Sequence, residues 1–414
     1  MKSLLSLLLL LSLFLVSPSS NVAAAPDEVK WTRVNIPTEG KAGNWVLADG
    51  SDIQQLTMAP DGTLYAYGEG LTYTLYQSSN GGYSWSYLSN VSDNIVDIAI
   101  APDENNTIYY ATSSNVYKST DGGRKFKSLP ANPGGAGSNN IEITSIAVAR
   151  LESNIIAVAT RDTDIAQFGG IYLLDEGQMI PGWANTALGN YDAFAVAFSP
   201  NYPADRQLVA VVTGGTDTYV TTKIGTAGWG TTIGNARLDK DNSGIPTPVA
   251  VTNSAAIAFP SDYDASSADY NLFIAIDVGS NNGDVYRINP TEAPGNSSAT
   301  DLNIGTDYGL SNVDITGLAV DGNGNDAILL AGAARSAQIY SSTDGGRDWA
   351  KSRKEPTGGS KTYVLIAPDF SSSGKAYVAT SGNESAISIS RDSGITWKQL
   401  QTIDKLSAQS EIEL

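Results

Sequence analysis

The chain contains neither histidine nor cysteine among its 414 residues, which restricts the chemistry that its side chains can perform. Without histidine there is no Ser-His-Asp triad, no histidine metal site and no imidazole base that titrates near neutral pH. Without cysteine there is no disulfide and no thiol nucleophile. Any catalysis would therefore depend on carboxylates, tyrosine, lysine or serine.

Two acidic segments have the spacing of oxygen ligands for calcium. The candidate ligands are Asp239, Asp241 and Ser243 in DKDNSG, and Asp321, Asn323 and Asn325 in DGNGND. Alternating oxygen ligands with a glycine turn resemble the start of a calcium loop, although neither segment has a glutamate at the twelfth position. Asx-rich turns without a metal use the same residue types. Calcium is thus a cofactor hypothesis, and no other cofactor is indicated.

An eight-residue phrase, Ser-x-Asp-x-Gly-x-x-aromatic, occurs three times, and a fourth copy has Asn in place of the Asp. Its copies are SSNGGYSW (78–85), STDGGRKF (119–126), STDGGRDW (342–349) and SRDSGITW (390–397). In a tight turn the Asp accepts backbone N–H bonds, the Gly takes a positive φ and the aromatic residue packs inward. The residues predicted to have these structural roles are Asn80, Gly82, Trp85, Asp121, Gly123, Phe126, Asp344, Gly346, Trp349, Asp392, Gly394 and Trp397.

The elements that carry these turns repeat seven times. Each unit has an apolar run such as IVDIAIAP, a second such as TIYYATSS and a third such as VYKSTD, with roughly 40 to 60 residues per unit. The sequence therefore predicts an all-β, seven-bladed propeller of four-stranded antiparallel blades. A spare strand-like segment, 29–37, matches 396–404 near the other end and predicts ring closure by an N-terminal strand.

On these phrases the chain resembles Asp-box (BNR) repeat propellers. This group includes sialidase-like propellers, oligoxyloglucan-type glycoside hydrolases, sortilin-type receptors, photosystem II assembly-factor-like proteins and secreted or surface-layer BNR-repeat proteins. The resemblance covers nearly the whole chain after residue 25. It implies that the boxes are structural and lie on the face away from the binding site.

Loops on the opposite face would then carry any ligand site. The charged residues predicted for that rim are Arg161, Asp162, Asp164, Asp217, Asp277, Asp284, Arg335 and Glu384. Such a ring could bind a sugar or a partner peptide, or it could be a set of solvated loops.

The catalytic sets of the resembled enzymes are not evident in the sequence. A sialidase would need three arginines, and only Arg161 and Arg335 are on the predicted rim; RVNIP (33–37) separates Arg33 from the Ile-Pro pair. An oligoxyloglucan-type hydrolase would need two carboxylates about 5 to 9.5 Å apart, which spacing along one sequence cannot place. We therefore assign no catalytic residue and favour a protein that is not an enzyme.

The ends and the charge of the chain favour export. Lys2, the apolar run 4–16 and the small residues up to Ala25 predict a signal peptide over 1–25, followed by one propeller domain over 26–404 and a polar tail over 405–414. No transmembrane segment is predicted after cleavage. With 43 acidic against 25 basic residues, the surface is a poor match for nucleic acid.

The leading functional hypothesis is a non-catalytic exported scaffold at the cell surface, similar to a surface-layer protein. Its expected partners are other envelope proteins, further copies of itself or cell-surface glycan. Two alternatives remain open: a carboxylate-based glycoside hydrolase and an assembly factor for a membrane-protein complex.

Overall fold

A computed structural model describes residues 52–403 except 70, 72, 92, 139, 165, 243–244, 261–262, 266–270, 280, 290–298, 306–307, 309–312, 323–325, 383–384 and 401–402. The described residues all belong to one compact unit of the chain, Ile36–Leu414. The predicted signal peptide, the strand-like segment 29–37 and the tail 405–414 lie outside them. No helix in the described part of the chain is long and apolar enough to cross a membrane.

Each repeat forms one four-stranded antiparallel sheet whose strands pair in chain order, as predicted. Blade 1 contains β1 (Asp52–Met58), β2 (Leu64–Glu69), β3 (Leu75–Ser78) and β4 (Ser86–Ser89). Blade 2 contains β5 (Asp97–Ile100), β6 (Ile108–Ala111), β7 (Val116–Ser119) and β8 (Lys127–Ser128). Blade 3 contains β9 (Ile141–Arg150), β10 (Asn154–Asp162), β11 (Gly170–Asp175) and β12 (Ala184–Asn185). Blade 4 contains β13 (Asp192–Phe198), β14 (Gln207–Gly214), β15 (Asp217–Ile224) and β16 (Ala236–Arg237).

The remaining blades follow a two-stranded hairpin of β17 (Asp239–Asn242) and β18 (Ile245–Pro248). Blade 5 contains β19 (Ser254–Ala258), β20 (Leu272–Asp277), β21 (Val285–Ile288) and β22 (Ala299–Asp301). Blade 6 contains β23 (Ile315–Asp321), β24 (Ile328–Ala333), β25 (Ile339–Ser342) and β26 (Ala350–Lys351). Blade 7 contains β27 (Thr362–Ile366), β28 (Ala376–Thr380), β29 (Ile387–Ser390) and β30 (Lys398–Gln399). The helices in the described part of the chain are single turns at Pro133–Gly135, Tyr202–Asp205 and Phe370–Ser373.

Apolar contact between neighbouring blades builds the core. The described residues form seven buried clusters, and each cluster joins two adjacent blades. The second strand of a blade is covered on both faces, so β14 is buried along seven of its eight residues. This double coverage explains why the second run of each repeat is continuously apolar instead of alternating.

Blade 7 closes the ring against blade 1. Ile53 N donates to Ser385 Oγ at 2.7 Å, and Gly382 N donates to Asp52 Oδ1 at 2.7 Å. A buried cluster that includes Tyr76 and Tyr377 joins the same two blades. All four described strands of blade 7 come from residues 362–399, while segment 29–37, predicted to complete or cap this blade, lies outside the described residues.

The four recurring phrases form one hydrogen-bonded turn between the third and fourth strands. In blade 6, Ser342 Oγ donates to Asp344 Oδ1 at 2.8 Å, while Gly346 N donates to Ser342 Oγ at 2.9 Å. Asp348 N donates to Asp344 Oδ1 at 3.1 Å. The boxes of blades 1, 2 and 7 repeat these three bonds.

Each box also contacts the preceding blade. Gly346 has a φ of +88°, and a Cβ added there would lie 2.5 Å from Leu302 Cδ1. The Trp349 side chain is buried, and its Nε1 donates to Leu302 O at 3.2 Å. The predicted inward packing of the box aromatic residue is thus observed, and it fixes the register between blades.

We expect Asp344→Ala to lower the free energy of unfolding by about 1–2 kcal/mol, since three donors lose their acceptor. The matched control is Asp348→Ala, which removes the same charge from an exposed side chain in the same turn. Both are measured by urea unfolding.

The difference in stability between wild type and Asp344→Ala should also depend on pH. Burial raises the pKa of Asp344, but the N–H groups of Asp348 and Arg347 and the Ser342 hydroxyl outweigh it, and the net pKa is below the usual value. The stabilisation by Asp344 is therefore present above the unfolded-state pKa and is lost as pH falls through the folded-state pKa. A difference between Asp344→Ala and wild type that grows on acidification would contradict this assignment.

Candidate functional site at the upper end of the channel

The strand order divides the loops between two faces. Turns that join first to second and third to fourth strands, including the boxes, lie on one face, which we call the box face. Turns that join second to third strands, and links between blades, lie on the opposite face, here called the upper face. The first strands of all seven blades line a central channel with a cavity volume of about 590 Å³.

The upper end of the channel is a charged mouth. Glu69, Glu142, Arg161 and Lys361 line it, together with the amide of Asn253. Arg161 Nη2 pairs with Glu142 Oε2 at 2.9 Å, and its Nη1 donates to Thr252 O at 3.2 Å. Of the predicted rim residues that the structure describes, Arg161 is the one that lines this cavity.

The junction of blades 5 and 6 brings three charged residues together. Arg335 Nη2 lies 3.2 Å from Asp314 Oδ2 and 4.0 Å from Asp277 Oδ1. Asp314 is buried and also accepts from the backbone N–H groups of residues 278, 281 and 283, at 3.2, 2.7 and 2.8 Å. The sequence predicted Arg335 and Asp277 for the rim but did not indicate Asp314, which accepts the N–H groups of the loop that follows Asp277.

A second such junction lies between blades 3 and 4. Asp192 Oδ1 accepts from Asp162 N at 2.8 Å and from Gly169 N at 2.9 Å, while Asp162 Oδ1 accepts from Asp164 N at 2.7 Å. Asp162 is buried, and Asp164 is exposed. Burial raises the pKa of Asp192, which these two N–H donors partly offset.

Aspartates at the start of a first strand thus form a recurring clamp. Asp52, Asp192 and Asp314 each accept backbone N–H groups from the second-to-third-strand loop of the preceding blade. Each directly starts or precedes an apolar run, in DIQQL, DAFAV and DITGL. That pattern is the sequence signal that could have identified them.

The other predicted rim residues have separate surroundings. Asp284 is buried and accepts from Val285 N at 2.8 Å and Ile304 N at 3.1 Å; burial raises its pKa, and Asp301 adds to the effect. Asp217 is half-buried, with Oδ1 3.8 Å from Arg237 Nη1. Glu384 lies outside the described residues.

The calcium hypothesis involves residues in two places. Asp239 and Asp241 lie in strand β17 of the hairpin, and Asp239 Oδ1 pairs with Arg237 Nε at 2.8 Å. Asp321 Oδ1 accepts from Ser371 Oγ at 3.2 Å. Ser243, Asn323 and Asn325 lie outside the described residues. Within the described ranges no three carboxylates are grouped to hold a metal ion, and calcium remains a hypothesis.

Asp97 is a further acid of the channel that sequence analysis did not single out. Its Oδ1 accepts from Ile98 N at 2.8 Å, and its Oδ2 accepts from Ile146 N at 3.0 Å and Ser145 Oγ at 3.2 Å. Burial raises the pKa of Asp97 to about 6 despite these donors. It is therefore a carboxyl group that titrates near neutrality inside the cavity.

Comparisons with known proteins place the chain by fold. No family model matches it, and no curated protein matches its sequence. A GH74 xyloglucanase from Xanthomonas campestris superimposes with a TM-score of 0.56 at 15% identity, covering 87% of this chain and 55% of the enzyme. The chain thus spans about half the length of that xyloglucanase.

Two further structures have a TM-score of 0.50. YCF48 bound to a D1 peptide is 16% identical over 80% of this chain and 91% of YCF48. The extracellular domain of a one-component system from B. thetaiotaomicron, BT4673, is 14% identical over 84% of this chain and 39% of that chain. At such identities the likeness shows the fold: the chain is a seven-bladed propeller of the Asp-box type, as its repeats predicted.

We expect Asp314→Asn to destabilise the protein by about 3 kcal/mol, since an amide leaves a buried donor facing Asn281 N and Arg335. Hydrogen exchange at residues 277–284 should accelerate because their shared acceptor is weakened. The control, Asp326→Asn, makes the same charge change at an exposed position in blade 6. Unchanged exchange in Asp314→Asn would refute the clamp.

We expect Asp97 to make stability depend on pH. A folded-state pKa of about 6, above the ordinary 3.8, means that its contribution is complete below pH 3.8 and is lost as pH rises through 6. Wild-type stability should therefore fall relative to Asp97→Asn between pH 4 and 6. Thermal unfolding across this range measures it, with Asp93→Asn, exposed nearby, as the control; parallel pH profiles would contradict the raised pKa.

Proposed function

We propose that this chain is an exported, non-catalytic propeller that binds a protein segment or a glycan at its upper-face channel mouth, in a scaffold role at the cell surface. The observation that carries the proposal is the use made of the upper-face carboxylates. Asp162, Asp277 and Asp314 accept backbone N–H groups and hold loops in place, while the polar mouth around Lys361 stays open. Buried acceptors of this kind rigidify a binding surface without supplying an acid-base pair.

Two of the fold neighbours support a binding role at a propeller of this kind. YCF48 is described with a bound D1 peptide, and BT4673 with an extracellular domain. A protein segment or an external ligand is therefore a reasonable occupant for this chain, and its acidic surface suits solubility outside the cell. A surface-layer-like role would be one form of such a scaffold.

A second candidate, carboxylate-based glycoside hydrolysis, has one observation in its favour. Asp97 lies in the channel wall with a pKa of about 6, as a general acid requires, and a GH74 xyloglucanase shares the fold. Both oxygens of Asp97 already accept protein donors, however, which ranks this candidate second.

Arrays of peptides and of polysaccharides, xyloglucan included, test the proposal with three forms of the full chain. We expect wild type to bind at least one probe, and the mouth variant Arg161→Glu/Lys361→Glu to bind it at least tenfold more weakly. The charge-matched control on the box face, Lys125→Glu/Arg347→Glu, should bind as wild type does, since both side chains are exposed there.

Four results would overturn the proposal. Absence of binding to every probe would reject the scaffold role, and equal loss in the box-face control would reject the mouth. Release of sugar that Asp97→Asn abolishes would establish the hydrolase instead. Recovery of the whole chain in the cytoplasmic fraction of the producing cells would reject export.

A further inference from the structure

The box of blade 1 differs from the other three boxes in its third residue, which is Asn80, followed by Gly81. The Asn80 side chain makes the hydrogen bonds of a box, because its Oδ1 accepts from Ser78 Oγ at 3.0 Å and from Ser84 N at 2.9 Å. Its Nδ2, however, donates to Ser84 Oγ at 2.8 Å, which a carboxylate cannot do. An exposed amide therefore lies where the other boxes have a carboxylate.

The backbone N–H of Gly81 is free, whereas its counterparts in the other boxes are bound. Each counterpart donates to the loop between the first two strands of its own blade: Gly122 N to Asn106 O at 2.9 Å, Gly345 N to Ala327 O at 2.9 Å, and Ser393 N to Gly374 O at 3.0 Å. Within the part of the chain that the structure describes, Gly81 N donates to no protein acceptor. The box of blade 1 thus combines a side-chain amide with an unbound backbone nitrogen next to it.

An asparagine followed by glycine can lose its side-chain amide without an enzyme, because glycine has no Cβ to hinder attack by its nitrogen. The Gly81 nitrogen forms a bond to Asn80 Cγ and releases its proton, while the Cγ–Nδ2 bond breaks and Nδ2 leaves as ammonia. Water then opens the cyclic imide. Cleavage at Cγ gives aspartate, and cleavage at the backbone carbonyl gives isoaspartate. One water is consumed and one ammonia is released, with no oxidation or reduction.

We propose that Asn80–Gly81 is a site of spontaneous deamidation, which converts the box of blade 1 to an aspartate or an isoaspartate form. The two donors to Asn80 Oδ1 favour the attack, because they stabilise the negative charge that develops on this oxygen. Asn282–Gly283 is another Asn-Gly pair, but there Gly283 N donates to the buried Asp314 at 2.8 Å and is not available for attack. This modification goes beyond the proposed binding at the channel mouth and does not depend on it.

The box of blade 7 shows the arrangement that the aspartate product adopts. There Thr396, at the position of Ser84, donates from its Oγ1 to Asp392 Oδ2 at 2.6 Å. After deamidation the Ser84 hydroxyl donates to the new carboxylate in the same way, instead of accepting from Asn80. Hydrogen bonds to a carboxylate are roughly twice as strong as those between neutral groups, so this product strengthens the turn.

The isoaspartate product has the opposite effect, because the box of blade 1 packs against blade 7 where the ring closes. Arg391 Nη2 donates to Tyr83 Oη at 2.7 Å, and a Cβ added at Gly81 would lie 2.9 Å from Tyr377 Oη. Isoaspartate adds a carbon atom to the backbone of this turn, and there is no space for it without a shift of the turn away from blade 7. We therefore expect isoaspartate to weaken ring closure.

Peptide mapping of the folded full chain by mass spectrometry, after incubation at mildly alkaline pH in water enriched in heavy oxygen, tests the proposal. The heavy oxygen enters with the hydrolysing water and so marks conversion during the incubation. We expect labelled aspartate and isoaspartate at residue 80, at least tenfold more than at residue 282. Asn282 is the matched control, since it is also exposed and also precedes glycine. The difference should disappear in guanidinium chloride, where Gly283 N is released from its bond.

Two results of this mapping would overturn the proposal. One is an Asn80 that stays unconverted, or reacts no faster than Asn282, in the folded chain. The other is a difference of the same size in guanidinium chloride, since it would then come from the local sequence and not from the fold.

Urea unfolding measures what the two products do. We expect Asn80→Asp to have a higher urea midpoint than wild type, and the isoaspartate form, separated by anion exchange, to have a lower one. Asn90→Asp makes the same charge change at an exposed position of blade 1 and should leave the midpoint as it is in wild type. A lower midpoint for Asn80→Asp, or an unchanged one for the isoaspartate form, would contradict the effects proposed for the site.

Discussion

Each blade of this protein has two apolar faces, and neither can be left in water. A single four-stranded sheet would expose one face or both, so each blade depends on its two neighbours, and only a closed ring covers every face. The seven inter-blade clusters are the result, and the β14 strand, buried along nearly its whole length, is typical of the middle of a blade. Blade 7 must therefore pack against blade 1 so that their apolar faces are also buried. The hydrogen bonds of Asp52 and Ser385 lie at this contact.

Apolar packing has no preferred direction, and the hydrogen bonds of aspartate side chains fix how the turns and loops of neighbouring blades are aligned. On the box face, Asp344 gathers the N–H groups of its own turn, and the adjacent Gly346 presses on a leucine of the preceding blade. On the upper face, Asp314 gathers N–H groups from the preceding blade's loop. In each case one carboxylate accepts several hydrogen bonds: Asp344 accepts them within its own turn, and Asp314 accepts them from the neighbouring blade. Part of the large acidic excess of the chain is therefore structural.

The sequence was sufficient for those features that are local. The repeats predicted seven blades because each strand and each box is encoded within a few residues, and the structure confirms them. The clamps were missed because their partners are distant: Gly382 and Asp52 are 330 residues apart, and Asn281 and Asp314 are 33 apart. The predicted rim residues that the structure describes are at the upper face, but only these non-local bonds decide which of them hold loops and which face the channel.

Departures from the repeat are where this molecule has room for function. Asp97 is not at the clamp position but three residues further along its first strand, where it corresponds to Gln55 of blade 1; it accepts from Ile146 N of the following blade and lies in the channel wall. Blade 3 has no box, and its braced loop carries Met179 into solvent. Because every described blade packs its apolar faces against its neighbours, a position outside that packing can differ from the repeat without loss of the fold. The packing between blades therefore maintains the fold, while residues of the channel wall and of the blade 3 loop can differ from the repeat.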